Sequence, residues 1–484
     1  MFRRWLITAC LVAWSFTSLQ AQEDFRKQYD TFRKEAASEH KAFTDTVNAA
    51  FAKAIGAEWV KYDLEEGNRR QVRPEPEMLP VAEGLPATFT VVQVSEAVDT
   101  IPSQWPPAAE AAQWMGQEQD KSASREIRFL FYGTEQAVNV PKEYGTFHPK
   151  SISEKDVAAF WEALSRYDYN SILVDCVKYR DLCGYNDWAI LEWTQALSHA
   201  LFPDNIHSEQ TVFMIFLLNQ YGLMARMARS GDTLIGLFSA MQPVYARKYV
   251  VLDTYPFYLT GPSLPASEVF TYNASFMKPA RPLDLRVHAP LALGTPEAYQ
   301  TVTKESSLFN ISIDLPVNRQ LMRFYDAYPQ TEVYVYARAC PESHFAAALE
   351  AGLASQLKGM APAEAVEKLL AFAQTEFRYQ TDTEQFGHEK PFFPEENFVY
   401  PSNDCEDRAA LFAYLVRTLT GYATVLLEYP DHICTAVRLP GERKGDHVVI
   451  GGENYYVCDP SYIGATVGMS MNKYKNLAVK VYAL

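Results

Sequence analysis

Seven cysteines in 484 residues are too few for a disulfide-dense scaffold. No run of lysine or arginine offsets the net charge of −15. That balance argues against nucleic acid or an anionic membrane surface as a partner. The chain has no glycine-rich nucleotide fingerprint, no low-complexity tract, and no Cys-x2-Cys pair of the kind that opens a zinc site. Beyond the N-terminus, no stretch is apolar for long enough to cross a membrane. A hydrophobic content of 48% is ample for packed cores, and the length suggests about three domains at ~150 residues each.

The N-terminus reads Met1-Phe2-Arg3-Arg4, then an apolar run from Trp5 to about Leu19, then Gln20-Ala21-Gln22. A basic start, a short apolar stretch and a small residue before a polar one predict a signal peptide over 1–21, cleaved near Ala21. The mature chain is then exported, periplasmic or secreted, without an integral membrane span. The alternative is an uncleaved anchor. Export leaves Cys176, Cys183, Cys340, Cys405, Cys434 and Cys458. Cys176 and Cys183 are close enough in sequence to bridge, and equally compatible with remaining reduced.

The most informative run is Ser402-Asn403-Asp404-Cys405-Glu406-Asp407-Arg408. Phe412, Leu415, Val416 and Leu419 follow at helical spacing. Asn403 or Asp404 would cap that helix and Gly421 would end it. A thiol in the first turn meets unpaired backbone N–H groups and the positive end of the helix dipole, which favour the nucleophilic thiolate. His432 opens a strand-like run after the turn Tyr429-Pro430-Asp431, and Asp459 ends another at Pro460. The Gly451-Gly452 turn lies between them, so the two strands are expected to be neighbours. A histidine could hold the thiolate as an ion pair, and an aspartate could fix the imidazole tautomer.

These residues resemble the transglutaminase-like superfamily, relatives of papain-like cysteine proteases. The resemblance rests on Asn403-Asp404-Cys405-Glu406-Asp407-Arg408, on Asp431-His432-Ile433-Cys434-Thr435, and on Tyr456-Val457-Cys458-Asp459-Pro460. It covers roughly residues 362–470. It implies an α+β fold with a helix packed on an antiparallel sheet. It also implies Cys405 as nucleophile, His432 as base and acid, and Asp459 as orienter, with no cofactor or metal. The Cys405 backbone N–H is the first oxyanion donor, and Gln385, Tyr400 or Asn403 could supply a second. The expected reaction is peptide or amide hydrolysis through a thioester. Transfer of a glutamine acyl group to an amine is the alternative, and a non-catalytic scaffold with a vestigial triad is the rival from another class. The partner is a peptide or protein substrate.

Along the chain, 22–85 reads as a helical arm and linker or strap, and 86–153 as a β-rich segment. Phe216–Gly222 echoes Tyr414–Gly421, and Tyr249–Ser263 echoes His447–Ser461. Residues 154–263 are therefore expected to be a degenerate copy of the module, with Cys405 falling on about His207, His432 on Thr233 and Asp459 on Gly261. Residues 264–345 read as a β-rich bridge, with Val333-Tyr334-Val335-Tyr336 as one strand. The catalytic domain spans 346–484. The acidic residues Asp382, Glu384, Glu389, Glu395 and Glu396 read as a solvated loop. The aromatics Tyr379, Phe386, Phe392, Phe393, Phe398 and Tyr400 read as a pinned loop or a cleft wall.

Overall fold

A computed structural model describes residues 41–484 apart from 69–77, 85–87, 99–122, 204–206, 262–264, 277–279 and 442, with Lys27, Thr31, Glu35, Ser38 and Glu39 upstream. The expected signal peptide, and the Phe25, Tyr29 and Phe32 spacing of the expected arm, lie outside the described residues. The architecture is mixed α+β, with helices packed on largely antiparallel sheets. Among the described residues, no helix is long and apolar enough to cross a membrane.

One plan is used twice. The first unit opens with the hairpin Ser124–Phe131/Thr134–Pro141 and runs through four helices, the last two being Asp187–Leu201 and His207–Tyr221. Five strands follow: Ala225–Ser230, Thr233–Phe238, Tyr249–Leu252, Tyr255–Leu259 and Glu268–Thr271. The second unit opens with the hairpin Tyr299–Ser306/Ile311–Asn318. Its two chief helices are Pro362–Thr375 and Cys405–Thr420, and its strands are Thr424–Tyr429, His432–Val437, His447–Ile450, Glu453–Cys458 and Val479–Ala483. In both sheets the unit's five strands lie in the order fifth, first, second, fourth, third.

The N-terminal segment closes both sheets. Val60–Asp63 pairs antiparallel with Glu268–Thr271, and Val94–Val98 pairs parallel with Val479–Ala483. Between them, Val81 bridges Ile463 and Val91 bridges His447, so this stretch is a strap over both units. The helix over 41–55 buries Phe51 and Ile55 in the first unit, where Phe51 meets Trp161 and Tyr272 edge to face.

Local chemistry sets the central helix of the second unit. Asp404 and Asp407 form a reciprocal capping box at its start, and Gly421 ends it at φ 71°. Phe412, Leu415 and Val416 are fully buried, while the small side chains of Ala409 and Ala413 pack with Leu426 and Ile433 of the sheet. In the first unit, His207–Tyr221 occupies the same place and packs on Asp187–Leu201 and on the Thr233–Phe238 strand.

Val333–Ala337 is a short helix, not the strand its alternating Val and Tyr predict. It packs on Cys405–Thr420, and Tyr334 stacks on Tyr482 at 5.3 Å. Burial against the helix and the last strand overrides β-propensity here.

Candidate active site

Cys405 is the first residue of its helix, His432 the first of its strand, and Asp459 directly follows Glu453–Cys458. The His432 and Asp459 strands are neighbours but pair only at Thr435, Ala436 and Val437. They splay beyond Thr435, and the two side chains fill the opening. His432 Nε2 lies 2.9 Å from Asp459 Oδ2. With the proton on Nε2 shared with the carboxylate, Nδ1 keeps the lone pair of a base. Asp459 is held in turn, since its Oδ1 accepts from Ser461 N–H and its backbone carbonyl accepts from Gln374 Nε2.

Cys405 belongs to the same cluster. Its Sγ lies 3.9 Å from Tyr379 Oη. Burial, then Asp431, raises the Tyr474 phenol, and burial, then Asp459, raises the Cys434 thiol; a thiolate at Cys405 would add to both. Tyr474 stacks on the His432 ring at 4.9 Å, and Cys434 Sγ lies within 4.8 Å of donor atoms of His432 and Asp459. Cys405, His432 and Asp459 are only 4%, 4% and 2% exposed.

Arg408, one turn along the helix, is the nearby cation. It donates to Asn403 Oδ1 and to the carbonyls of Ala373, Gln374 and Phe377. Burial lowers its proton affinity, and the largest opposing influence is Cys405. A buried guanidinium beside the sulfur favours the thiolate. The thiols of Cys176, Cys183, Cys340, Cys434 and Cys458, all unbridged, are pushed up by burial.

Asp382, Asp404 and Asp407 bring carboxylate oxygens within 4.8 Å of one another at the helix start. Burial, then the neighbouring Asp404, pushes Asp382 up to about 10 and Asp407 well above the carboxylate range. The cluster therefore favours holding protons, which lowers the negative charge beside the thiol. Asp382 accepts from Lys390 N–H and Asp407 from Phe392 N–H, which ties the 382–396 loop to the helix.

That loop differs from its sequence reading. Asp382, Glu395 and Glu396 are buried rather than solvated. Glu396 pairs with Lys390 at 2.6 Å, and Glu395 accepts from Glu342 N–H. Of the loop aromatics, Tyr379 reaches Cys405. Phe386, Phe392 and Tyr400 pack on one another around Lys390. The other expected oxyanion donors have partners of their own. Gln385 Nε2 donates to Ser402 O at 3.2 Å, Tyr400 Oη to Asp326 at 2.8 Å, and Asn403 Nδ2 to Asn397 Oδ1 at 2.8 Å.

Sequence reasoning missed Tyr474, Gln374 and the role of Arg408. Gln374 donates to the carbonyls of Asp459, Tyr462 and Ala465 and accepts from Gly464 N–H, pinning the segment that carries Tyr474. No signal near the three motifs marks Tyr474 or Gln374, which reach the site from other elements, whereas Arg408 stands inside the first motif and its role shows only in the carbonyls that the fold brings to it. No family model, curated protein or solved structure matches this chain.

Proposed function

We propose that the protein is a thiol enzyme of the transglutaminase-like, papain-like kind, acting on amide bonds of a peptide or protein. The observation that carries this is the buried His432–Asp459 pair, 2.9 Å long, set beside a helix-opening cysteine. The Cys405 thiolate attacks the amide carbon and the carbonyl oxygen takes up the negative charge. The backbone N–H of Cys405 and the Tyr379 hydroxyl are the donors nearest that charge. His432 delivers a proton to the leaving nitrogen, the C–N bond breaks, and a thioester remains. Neutral His432 then takes a proton from the acceptor, which attacks the thioester and releases Cys405. Asp459 holds the imidazole throughout and stabilises its charged form.

With water as acceptor the product is a free acid, and hydrolysis is the first reading. The near-complete burial of the triad favours a second reading, acyl transfer to an amine, because a dry site suppresses water. The N-terminal pattern of 1–21 supports an exported protein whose reaction takes place outside the cytoplasm. The first unit, with the same strand order and His207, Thr233 and Gly261 at the corresponding places, is a diverged copy without the triad.

The test is the mass change of a glutamine-containing peptide, with and without a primary amine. A gain of one mass unit on glutamine, or cleavage of the backbone, marks hydrolysis. Incorporation of the amine marks transfer. No change in either mixture, with Cys405 alkylating as an ordinary thiol, contradicts the proposal.

A further inference from the structure

The two units differ most at the place of the triad. Ser230 pairs with Thr233 as Tyr429 pairs with His432, and Leu237 faces Leu259 as Ala436 faces Val457. Counting along these ladders puts Thr233 at the place of His432 and Gly261 at that of Asp459. In the second unit the splay between the strands is filled by His432 and Asp459 and covered by the segment 459–478, which Gln374 anchors. In the first unit the corresponding connection, 260–267, is far shorter. The splay is left as a cavity of about 310 Å³.

The chemistry of this cavity is specific. Its floor is apolar, with Met214 and Leu259, and its walls carry Gln195, Ser198, Thr211 and Thr233. Among the described residues, no Asp, Glu, Lys or Arg lines it and His199 is its one titratable side chain, so it suits a neutral ligand. One wall is a strand edge. The Thr233–Phe238 strand meets Tyr255–Leu259 only at Leu237 and Phe238. The Gly236 carbonyl accepts from Thr260 N–H, so alternation puts the Leu234 peptide groups on the same side, facing the cavity, where the Leu234 carbonyl accepts only a long 3.5 Å bond from the Thr211 hydroxyl that a peptide N–H would replace. A Cβ on Gly236 would lie 2.7 Å from Met214 Cε and Thr260 Oγ1, so glycine permits the close approach of both side chains there. Gln195 and His199 also line a second cavity of about 610 Å³ beside Tyr132 and Arg323.

We propose that the first unit is a non-catalytic binding site for an extended, uncharged peptide segment, which adds to the open edge at Leu234 in the opening that the second unit uses for its triad. Backbone pairing supplies affinity in such an arrangement, and the amide and hydroxyl walls read neutral side chains. Only the choice of peptide as ligand rests on the reading of the second unit as an amide-bond enzyme.

The test uses the full chain carrying Cys405→Ala, so that catalysis plays no part. It is exposed to a library of acetylated, amidated decapeptides free of Asp, Glu, Lys and Arg. Retained peptides are identified by mass spectrometry, and one is followed by amide hydrogen exchange. The expected result is retention, with exchange at Leu234 slowed tenfold or more. Gly261→Trp should weaken retention at least tenfold, whereas Gly261→Ala should not, because a Cβ at Gly261 meets nothing within 4 Å. A thermal melt confirms that both variants fold. No retained peptide, retention indifferent to Gly261→Trp, or protection confined to residues 432–434 would each overturn the proposal. The catalytic reading is judged separately, by the chemistry of Cys405 in the parent chain.

Discussion

Two sheets with one strand order place different residues at the same three positions. The second unit has Cys405, His432 and Asp459, while the first has His207, Thr233 and Gly261. Both units still close their cores, with Phe213, Phe216 and Leu218 buried in one central helix as Phe412, Leu415 and Val416 are in the other. The triad is therefore not needed to hold the fold together. The shared scaffold extends to one buried polar side chain. Gln210 donates to Phe202 O, tying the central helix to the end of the preceding one. Arg408, at the corresponding place, does so with three carbonyls and adds a charge beside the sulfur.

The comparison is broken most sharply at the second strand. His432→Ala should lower turnover of a glutamine peptide by about 10²–10⁴-fold, the usual range for a lost acid–base group. His207→Ala, at the first unit's counterpart of Cys405, should leave turnover unchanged. Equal losses in steady-state kinetics of the two variants would end the assignment of chemistry to one unit.

The paired polar ties come next. Arg408→Met strands several buried acceptors and should destabilise by roughly 3 kcal/mol. Gln210→Leu strands one and should cost about 1 kcal/mol. Urea melts of both variants measure the difference, and equal losses would show that Arg408 has no larger structural task than Gln210.

A smaller effect concerns pH. Asp382 binds a proton in the folded chain up to about pH 10, whereas an unfolded aspartate releases it near ~3.9. The folded state then holds more protons, so this group's contribution to stability falls as pH rises between those values. Asp382→Asn keeps an acceptor for Lys390 N–H and removes the titration. Its stability should fall less from pH 6 to 9 than the parent's does. An identical pH slope in thermal melts would show that the loop carboxylate is not held protonated. The first unit has no such carboxylate cluster among its described residues.

What was legible in the sequence follows the same division. The helix at Cys405, its Asp404 cap and Gly421 stop, and the strand positions of His432 and Asp459 are local properties, set by caps, turns and period. The echo between the units was legible because helix and strand lengths repeat, and its register coincides with the strand pairing. What was hidden is tertiary. Tyr474 lies fifteen residues beyond Asp459 (474 − 459 = 15) in an irregular segment, and only the folded chain lays it on the imidazole. Glu395 and Glu396 read as solvated because acidic loops usually are, yet Lys390 and the Glu342 N–H give them buried partners. Gln385 and Tyr400 sit near Cys405 in sequence, and the folded chain gives the Gln385 amide Ser402 O as a partner and the Tyr400 hydroxyl Asp326.

The most direct measurement of the central claim is the rate of iodoacetamide alkylation of each cysteine against pH, read by peptide mass spectrometry. Cys405 should react with an apparent pKa well below the ordinary thiol value of ~8.5, and His432→Ala should abolish that low-pH reactivity. The five other described cysteines, their thiols raised by burial, should stay inert in the same window. A Cys405 profile that rises only at or above the ordinary thiol value, unchanged by His432→Ala, would contradict the account.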